Sequence, residues 1–117
     1  MNSNTESKVT NLAYLTALSK GNEKFVHEMI KIFLEENPEE IQTLQKGIDE
    51  KDYDLIKATA HKLRSTIPFV GLDKLIEKEV SEIEEWAENK SEIQKIALNF
   101  VKIKKLCEQA CLELIPM

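Results

Sequence analysis

Apolar residues in this chain recur every three or four positions, a spacing typical of amphipathic helices. The first such stretch covers residues 11–19 and is short, because Gly21 follows it as a helix-ending residue. The next covers residues 22–50 and contains Pro38, which predicts either one long kinked helix or two nearly collinear helices. No segment keeps the alternation of apolar and polar residues that a strand requires. The pattern therefore predicts an all-α protein.

Three more amphipathic stretches complete the chain. Asp52 caps a helix with a strict apolar seam, which Pro68 and Gly71 close. A further helix follows to about residue 90, and Ser91 with Glu92 opens the last one. Four long stretches with short connections predict an antiparallel up-and-down four-helix bundle, with the short first helix packed across one end. We expect a flexible tail over residues 1–9 and one domain over residues 10–117.

Composition excludes several functional classes. The chain has 117 residues, which suits a single hydrophobic core, and no apolar run is long enough to insert into a membrane. Its polar start does not resemble a signal peptide, so we expect a cytoplasmic protein. The net charge of −5 argues against nucleic-acid binding. Cys107 and Cys111 lie on the inner stripe of the last helix, and we interpret them as buried thiols without a metal site.

The negative charge is concentrated in one segment. Residues 73–92 hold eight acidic and three basic residues, and the rest of the chain is balanced. We interpret these acids as a solvated helix face that could influence the choice of partner. The only arginine, Arg64, lies in the preceding helix.

His61 is the main candidate for chemistry. On a helical projection it lies roughly 120° from the centre of its apolar seam, so the ring should face solvent. Ala58 and Ser65, about one turn away on either side, are small and would leave the ring accessible to a bulky partner. His27, by contrast, lies opposite the apolar stripe of its helix and is interpreted as an ordinary surface histidine.

Three cations surround His61 along its own helix. Lys57, Lys62 and Arg64 are its neighbours, with no acid between them. We expect this charge to keep the imidazole neutral and nucleophilic, and to stabilise a phosphoryl group placed there. From the residues alone, a functional site and a solvated basic face both remain open.

The segment around His61 resembles the signature of histidine-containing phosphotransfer (HPt) domains. Residues 60–72 read AHKLRSTIPFVGL, and the family signature is Ala-His-x-Leu-Lys-Gly, a short small or apolar stretch, and then a glycine, here Gly71. The resemblance covers about residues 10–90. Arg64 replaces the usual Lys, Ser65 replaces the usual Gly, and Pro68 stands where small residues are common.

The resemblance implies a place in a phosphorelay. His61 would accept a phosphoryl group from the aspartyl phosphate of a response-regulator receiver domain and pass it to the aspartate of another receiver. The partners would be receiver domains and a hybrid sensor histidine kinase. The chain would have no autonomous catalytic activity and no cofactor, because the receiver supplies the Mg²⁺. We expect a monomer.

Two other functions compete with this interpretation. The first is a degenerate, non-catalytic helical adaptor that binds response regulators without carrying phosphate. The second is an enzyme that uses His61 as a general base, which the local motif disfavours because it supplies no carboxylate or nucleophile partner.

Overall fold

The computed structural model of the protein describes residues 8–115, which contain five α-helices and no strand. The all-α class expected from the sequence is therefore confirmed. In chain order the elements are α1 (Ala13–Ser19), α2 (Glu23–Glu50), α3 (Tyr53–Thr66), a 3₁₀ turn (Ile67–Val70), α4 (Asp73–Glu88) and α5 (Ile93–Leu114).

The four long helices form the predicted bundle. Helix α3 packs against α2 and α4, and α5 packs against the other sides of α2 and α4, so that α3 and α5 lie diagonally opposite each other. The short α1 packs against α2 and the 3₁₀ turn. Every long helix contributes fully buried aliphatic side chains to one continuous core, among them Leu44, Ile56, Leu63, Ile76, Ile83, Ile96 and Ile103.

Capping residues set most of the helix starts. The side chain of Asn22 accepts a hydrogen bond from the Phe25 amide at 3.1 Å, and Asp52 caps α3 through the Leu55 amide at the same distance. Helix α2 is continuous through Pro38. Of the two alternatives predicted for residues 22–50, the structure therefore has one long helix and not two collinear helices. At the start of α5, Glu92 makes no side-chain cap and has a left-handed backbone with φ of 61°, although the helix begins where expected.

The connection from α3 to α4 depends on Gly71. Pro68 lies in the 3₁₀ turn, so α3 ends at Thr66 and the chain turns before α4. Gly71 has a φ of 80°, and a β-carbon there would lie 2.6 Å from the backbone oxygen of Asn11. The Asn11 amide also donates to the Val70 carbonyl at 2.9 Å. Gly71 thus allows the N-terminal segment to cross directly over the turn that follows the histidine helix.

The N-terminal segment is attached to the last helix. The Val9 amide donates to Glu113 Oε2 at 2.9 Å, and the Thr10 hydroxyl donates to Glu113 Oε1 at 2.7 Å. Burial of Glu113 opposes its ionisation, but the hydrogen bonds it accepts outweigh burial and lower the pKa of the carboxyl. Val9, which the sequence assigned to the tail, is therefore fixed to α5. Residues 1–7 of the predicted tail lie outside the described residues.

Candidate functional site

His61 lies on the solvent side of α3. Its neighbours Ala60 and Leu63 are fully buried in the core, which fixes the rotation of the helix and turns His61 outward. The His61 side chain is 74% exposed. The exposed position expected from the helical projection is confirmed, and the ring is accessible from solvent.

A carboxylate from the neighbouring helix holds the ring. Glu84 of α4 places Oε2 3.0 Å from His61 Nδ1, and its Oε1 accepts a hydrogen bond from Arg64 Nη1 at 2.9 Å. The Glu84 side chain is only 17% exposed. Burial acts to raise the pKa of Glu84, but the hydrogen bonds from Arg64 and His61 outweigh it and leave that pKa below the usual value. Glu84 is therefore an ionised acceptor shared by the histidine and the arginine.

This contact determines which ring nitrogen is free. An ionised carboxylate can only accept hydrogen bonds, so Nδ1 of the neutral imidazole carries the proton and donates it to Glu84. The lone pair is then on Nε2, the outer nitrogen of an exposed ring. Chemically, the arrangement presents an oriented nitrogen nucleophile to solvent.

The three predicted cations are present, but each is paired with an acid. Lys57 forms an ion pair with Glu88 of α4, and Arg64 forms one with Glu84. Lys62 Nζ lies 3.7 Å from Glu40 Oε2 of α2. No acid lies between these three residues in the chain, but acids from the two helices that flank α3 balance their charge. The Glu88 contact raises the pKa of the Lys57 ammonium.

Glu40 is a buried carboxyl beside this site. Its side chain is 5% exposed, and Oε2 has no hydrogen-bond partner among the described residues. Burial raises the pKa of Glu40, and the nearby Lys62 acts against that shift. Lys62 consequently lies between a buried acid on one side and solvent on the other.

The acidic residues of α4 do more than face solvent, which corrects the interpretation from the sequence. Glu84 and Glu88 reach α3, while Glu79 accepts a hydrogen bond from Lys102 of α5 at 2.9 Å. The Lys102 bond lowers the pKa of Glu79. Three acids of α4 therefore pair with side chains on the two neighbouring helices.

Ala58 and Ser65 are the small residues about one turn from His61 on either side. Both are exposed. The Ser65 hydroxyl donates to the Lys62 carbonyl at 2.7 Å, so it is turned toward its own helix backbone. The importance of both residues for access to the ring stays a prediction.

The other candidates from the sequence lie away from this site. Cys107 is buried, and burial raises its pKa to about 12, so its thiol is not a nucleophile near neutral pH. Cys111 is half-buried, and burial also raises its pKa. His27 is exposed on α2, in a shallow hollow lined by residues of that helix alone.

Residues 8–115 lack two kinds of feature. Within that range no group of three or more His, Cys, Asp or Glu side chains is arranged to hold a metal ion. No helix there has the length and apolar character needed to cross a membrane.

Sequence reasoning missed Glu84, although a signal for it exists. Lys57 and His61 are one turn apart on α3, and their partners Glu88 and Glu84 are one turn apart in the reverse order on α4. Antiparallel helices produce this reversal. Once the Lys57–Glu88 contact is known, it therefore predicts that His61 lies beside Glu84. The first contact could not be found from periodicity, because periodicity gives the face of a helix and not its axial position.

Comparisons with known proteins give one family. The sequence model described as the Hpt domain matches residues 28–111, a range that includes His61, Gly71 and Glu84. Neither the curated proteins nor the solved structures contain a significant match to the chain.

Proposed function

The chain belongs to the Hpt domain family, and from this we propose that His61 carries a phosphoryl group between receiver domains. Membership supports a histidine phosphotransfer role in two-component signalling, and Hpt domains are generally carriers and not catalytic enzymes. The observation that carries the assignment to His61 is its geometry, with Nδ1 bound to Glu84 and a side chain that is 74% exposed.

The proposed transfer needs one nucleophile from this chain. The Nε2 lone pair attacks the phosphorus of the receiver's aspartyl phosphate, so that an N–P bond forms and the acyl O–P bond breaks. The electron pair of the broken bond returns to the receiver's carboxylate. The proton on Nδ1 stays in place, and the reverse sequence delivers the phosphoryl group to the aspartate of a second receiver.

Glu84 acts as a positioning residue in this scheme. Phosphorylation at Nε2 gives the imidazole ring positive charge while Nδ1 keeps its proton. The Glu84 carboxylate, 3.0 Å from Nδ1, stabilises that charge without touching the phosphoryl group. Because the contact also fixes the orientation of the ring, it reduces the entropy lost when the histidine enters a receiver's active site.

Arg64 and Lys62 are the cations best placed for the phosphoryl oxygens. Arg64 uses Nη1 to bind Glu84, which leaves other N–H groups of the guanidinium for a second acceptor. Its side chain is 42% exposed and that of Lys62 is 59% exposed, so a docked partner can contact both. Lys57 is held by Glu88 and contributes at longer range.

The receiver would dock across α3 and the apolar residues at its C-terminal end. Phe69 is half-buried in the turn after α3, and its ring lies 6.3 Å from that of Tyr14, which is 54% exposed. Ile32 of α2 is also exposed and lines a small hollow with Phe69. An apolar centre beside a charged rim is the usual composition of a protein interface.

The remaining components belong to the partners. The receiver would supply the acidic pocket and Mg²⁺, and a hybrid sensor histidine kinase would supply the phosphate upstream. Since these partners act in the cytoplasm, we place this protein there as well.

Phosphate transfer from a receiver tests this proposal. The protein is mixed with a radiolabelled phosphorylated receiver, and label that is acid-labile and base-stable is expected on the wild type and absent from the His61→Gln variant. A second, unphosphorylated receiver should then remove it. Receiver binding without any label on the wild type would favour the adaptor function, and label on the His61→Gln variant would exclude His61 as the carrier.

A further inference from the structure

The outer face of α5 exposes four large apolar side chains. Leu98 is 72% exposed, and Val101, Leu112 and Ile115 are each 64% exposed, more than any other large apolar residue in the described part of the chain. Ile115 continues the helical backbone, since its amide bonds to the Cys111 carbonyl. Helix α5 thus presents apolar residues to solvent as well as to the core.

These residues fall into a regular seam with two charged residues at its centre. The spacing alternates between three and four, as in the a and d positions of a coiled coil. We call this set the outer seam, and it consists of Leu98, Val101, Lys105, Glu108, Leu112 and Ile115. The buried residues of α5, such as Ile96 and Ile103, follow the same spacing on the opposite side of the helix.

The outer seam is complementary to itself when one copy is reversed. If two α5 helices run antiparallel about a two-fold axis between positions 105 and 108, Leu98 faces Ile115 and Val101 faces Leu112. Lys105 of each copy then faces Glu108 of the other, twice. A parallel pair would instead place lysine against lysine and glutamate against glutamate, which is repulsive.

From this complementarity we propose that the protein forms a homodimer through the outer seams of two antiparallel α5 helices. Neither Lys105 nor Glu108 forms an ion pair with another residue in the range 8–115, so both charges are available to a second copy. An isologous interface requires one patch that matches itself, and the outer seam meets that requirement in the order of its apolar residues and in charge. The proposal departs from the monomer expected from the sequence.

The dimer leaves the histidine site free. Helix α5 lies diagonally opposite α3 in the bundle, so the outer seam and His61 are on different sides of the protein. Each copy would still present its own His61 to a receiver. The dimer would therefore be a bivalent carrier.

The outer seam is about 26 Å long at the rise of an α-helix. Such a contact lies near the roughly 1,000 Å² lower limit of stable protein interfaces. We accordingly expect an equilibrium between monomer and dimer that depends on concentration.

Sedimentation velocity over concentrations from about 1 µM to about 1 mM tests the proposal. The wild type should shift from monomer toward dimer. Lys105→Glu and Glu108→Lys should each weaken association by about tenfold or more, because each places like charges opposite one another. The double variant Lys105→Glu/Glu108→Lys should restore wild-type association. Only the antiparallel pairing predicts this recovery, because it places position 105 of one copy opposite position 108 of the other.

A second pair of variants tests the apolar part of the seam. Leu112→Lys should also weaken association by about tenfold or more, whereas Leu75→Lys, at an exposed apolar position on α4, should leave it unchanged. Circular dichroism checks that each variant remains helical. A wild type that stays monomeric throughout, or a double variant no better than the single variants, would overturn the proposal.

Discussion

The two histidines of this protein share an exposed position on a long helix and differ in the contacts of their rings. His27 and His61 are both exposed on long helices, and each has basic residues about one turn away on either side. The His61 ring is bound to Glu84 from a neighbouring helix, whereas no hydrogen bond among the described residues involves the His27 ring. Exposure and nearby cations are therefore shared features and cannot by themselves define the site.

The difference arises from how the two helices pack. The hollow beside His27 is lined by residues of α2 alone, including Lys24 and Lys31. Helix α3 lies against α4 along its length, so acids from α4 reach the surface next to the histidine. A free histidine samples both tautomers, while a carboxylate partner selects one. The comparison indicates that tertiary packing, more than local sequence, turns an exposed histidine into an oriented nucleophile.

Removing each histidine in turn should give the largest difference. His61→Gln is expected to reduce phosphate transfer from a labelled receiver by at least about 10³-fold, because the nucleophile is lost. His27→Gln should transfer at the wild-type rate. A comparable loss in both variants would contradict the assignment of the two histidines to different roles.

Removing the partner of His61 should have the next largest effect. We expect Glu84→Ala to slow transfer by about 10²-fold, since the ring loses its orientation and both tautomers become populated. Glu84→Gln keeps an oxygen that accepts from Nδ1–H and should recover most of the rate. Rapid-quench transfer kinetics, together with ¹⁵N NMR of the His61 ring, would measure both effects, and equal rates for Glu84→Ala and the wild type would show that His61 needs no partner.

Crowding His61 should have a moderate effect. Ser65→Leu adds bulk about one turn from the ring and should slow transfer by about tenfold, the equivalent of about 1.4 kcal/mol. The matched variant Ser65→Ala removes the hydroxyl without adding bulk, and its rate should stay close to the wild type. The same kinetic assay compares the two, and a slow Ser65→Ala variant would indicate that the hydroxyl itself matters.

The smallest effect concerns stability at acid pH. Because the folded structure lowers the pKa of Glu84, its contribution to stability is present above the ordinary value of 4.5 and is lost as the pH falls through the folded-state value. The difference in unfolding free energy between the wild type and Glu84→Gln should be roughly 1 kcal/mol or less near neutral pH and should shrink below pH 4.5. Urea unfolding between pH 3 and pH 7 measures this difference in unfolding free energy. A difference that grows as the pH falls would contradict the lowered pKa of Glu84.

The fold was largely predictable because its signals are local. Asn22 and Asp52 begin helices through contacts three residues away, and Gly21 and Gly71 stand at turns with positive φ. The exposed position of His61 follows from the apolar seam of its own helix. Each of these features depends on residues within a few positions of one another.

The partners of the site could not be predicted in the same way. Glu84 is 23 residues from His61 in the chain, and the contact depends on the length and shape of the turn that contains Pro68 and Gly71. Lys62 meets Glu40 from a third helix. The sequence showed three cations near the histidine, but their charges are balanced by acids that only the packing of the bundle brings close.

The most direct test of the account is ¹⁵N–³¹P NMR of the protein after phosphorylation by a receiver. The account predicts that phosphorus is bonded to Nε2 of His61 and that Nδ1 keeps its proton, because Glu84 accepts it. Phosphorus on Nδ1 of His61, or on any other residue, would contradict it.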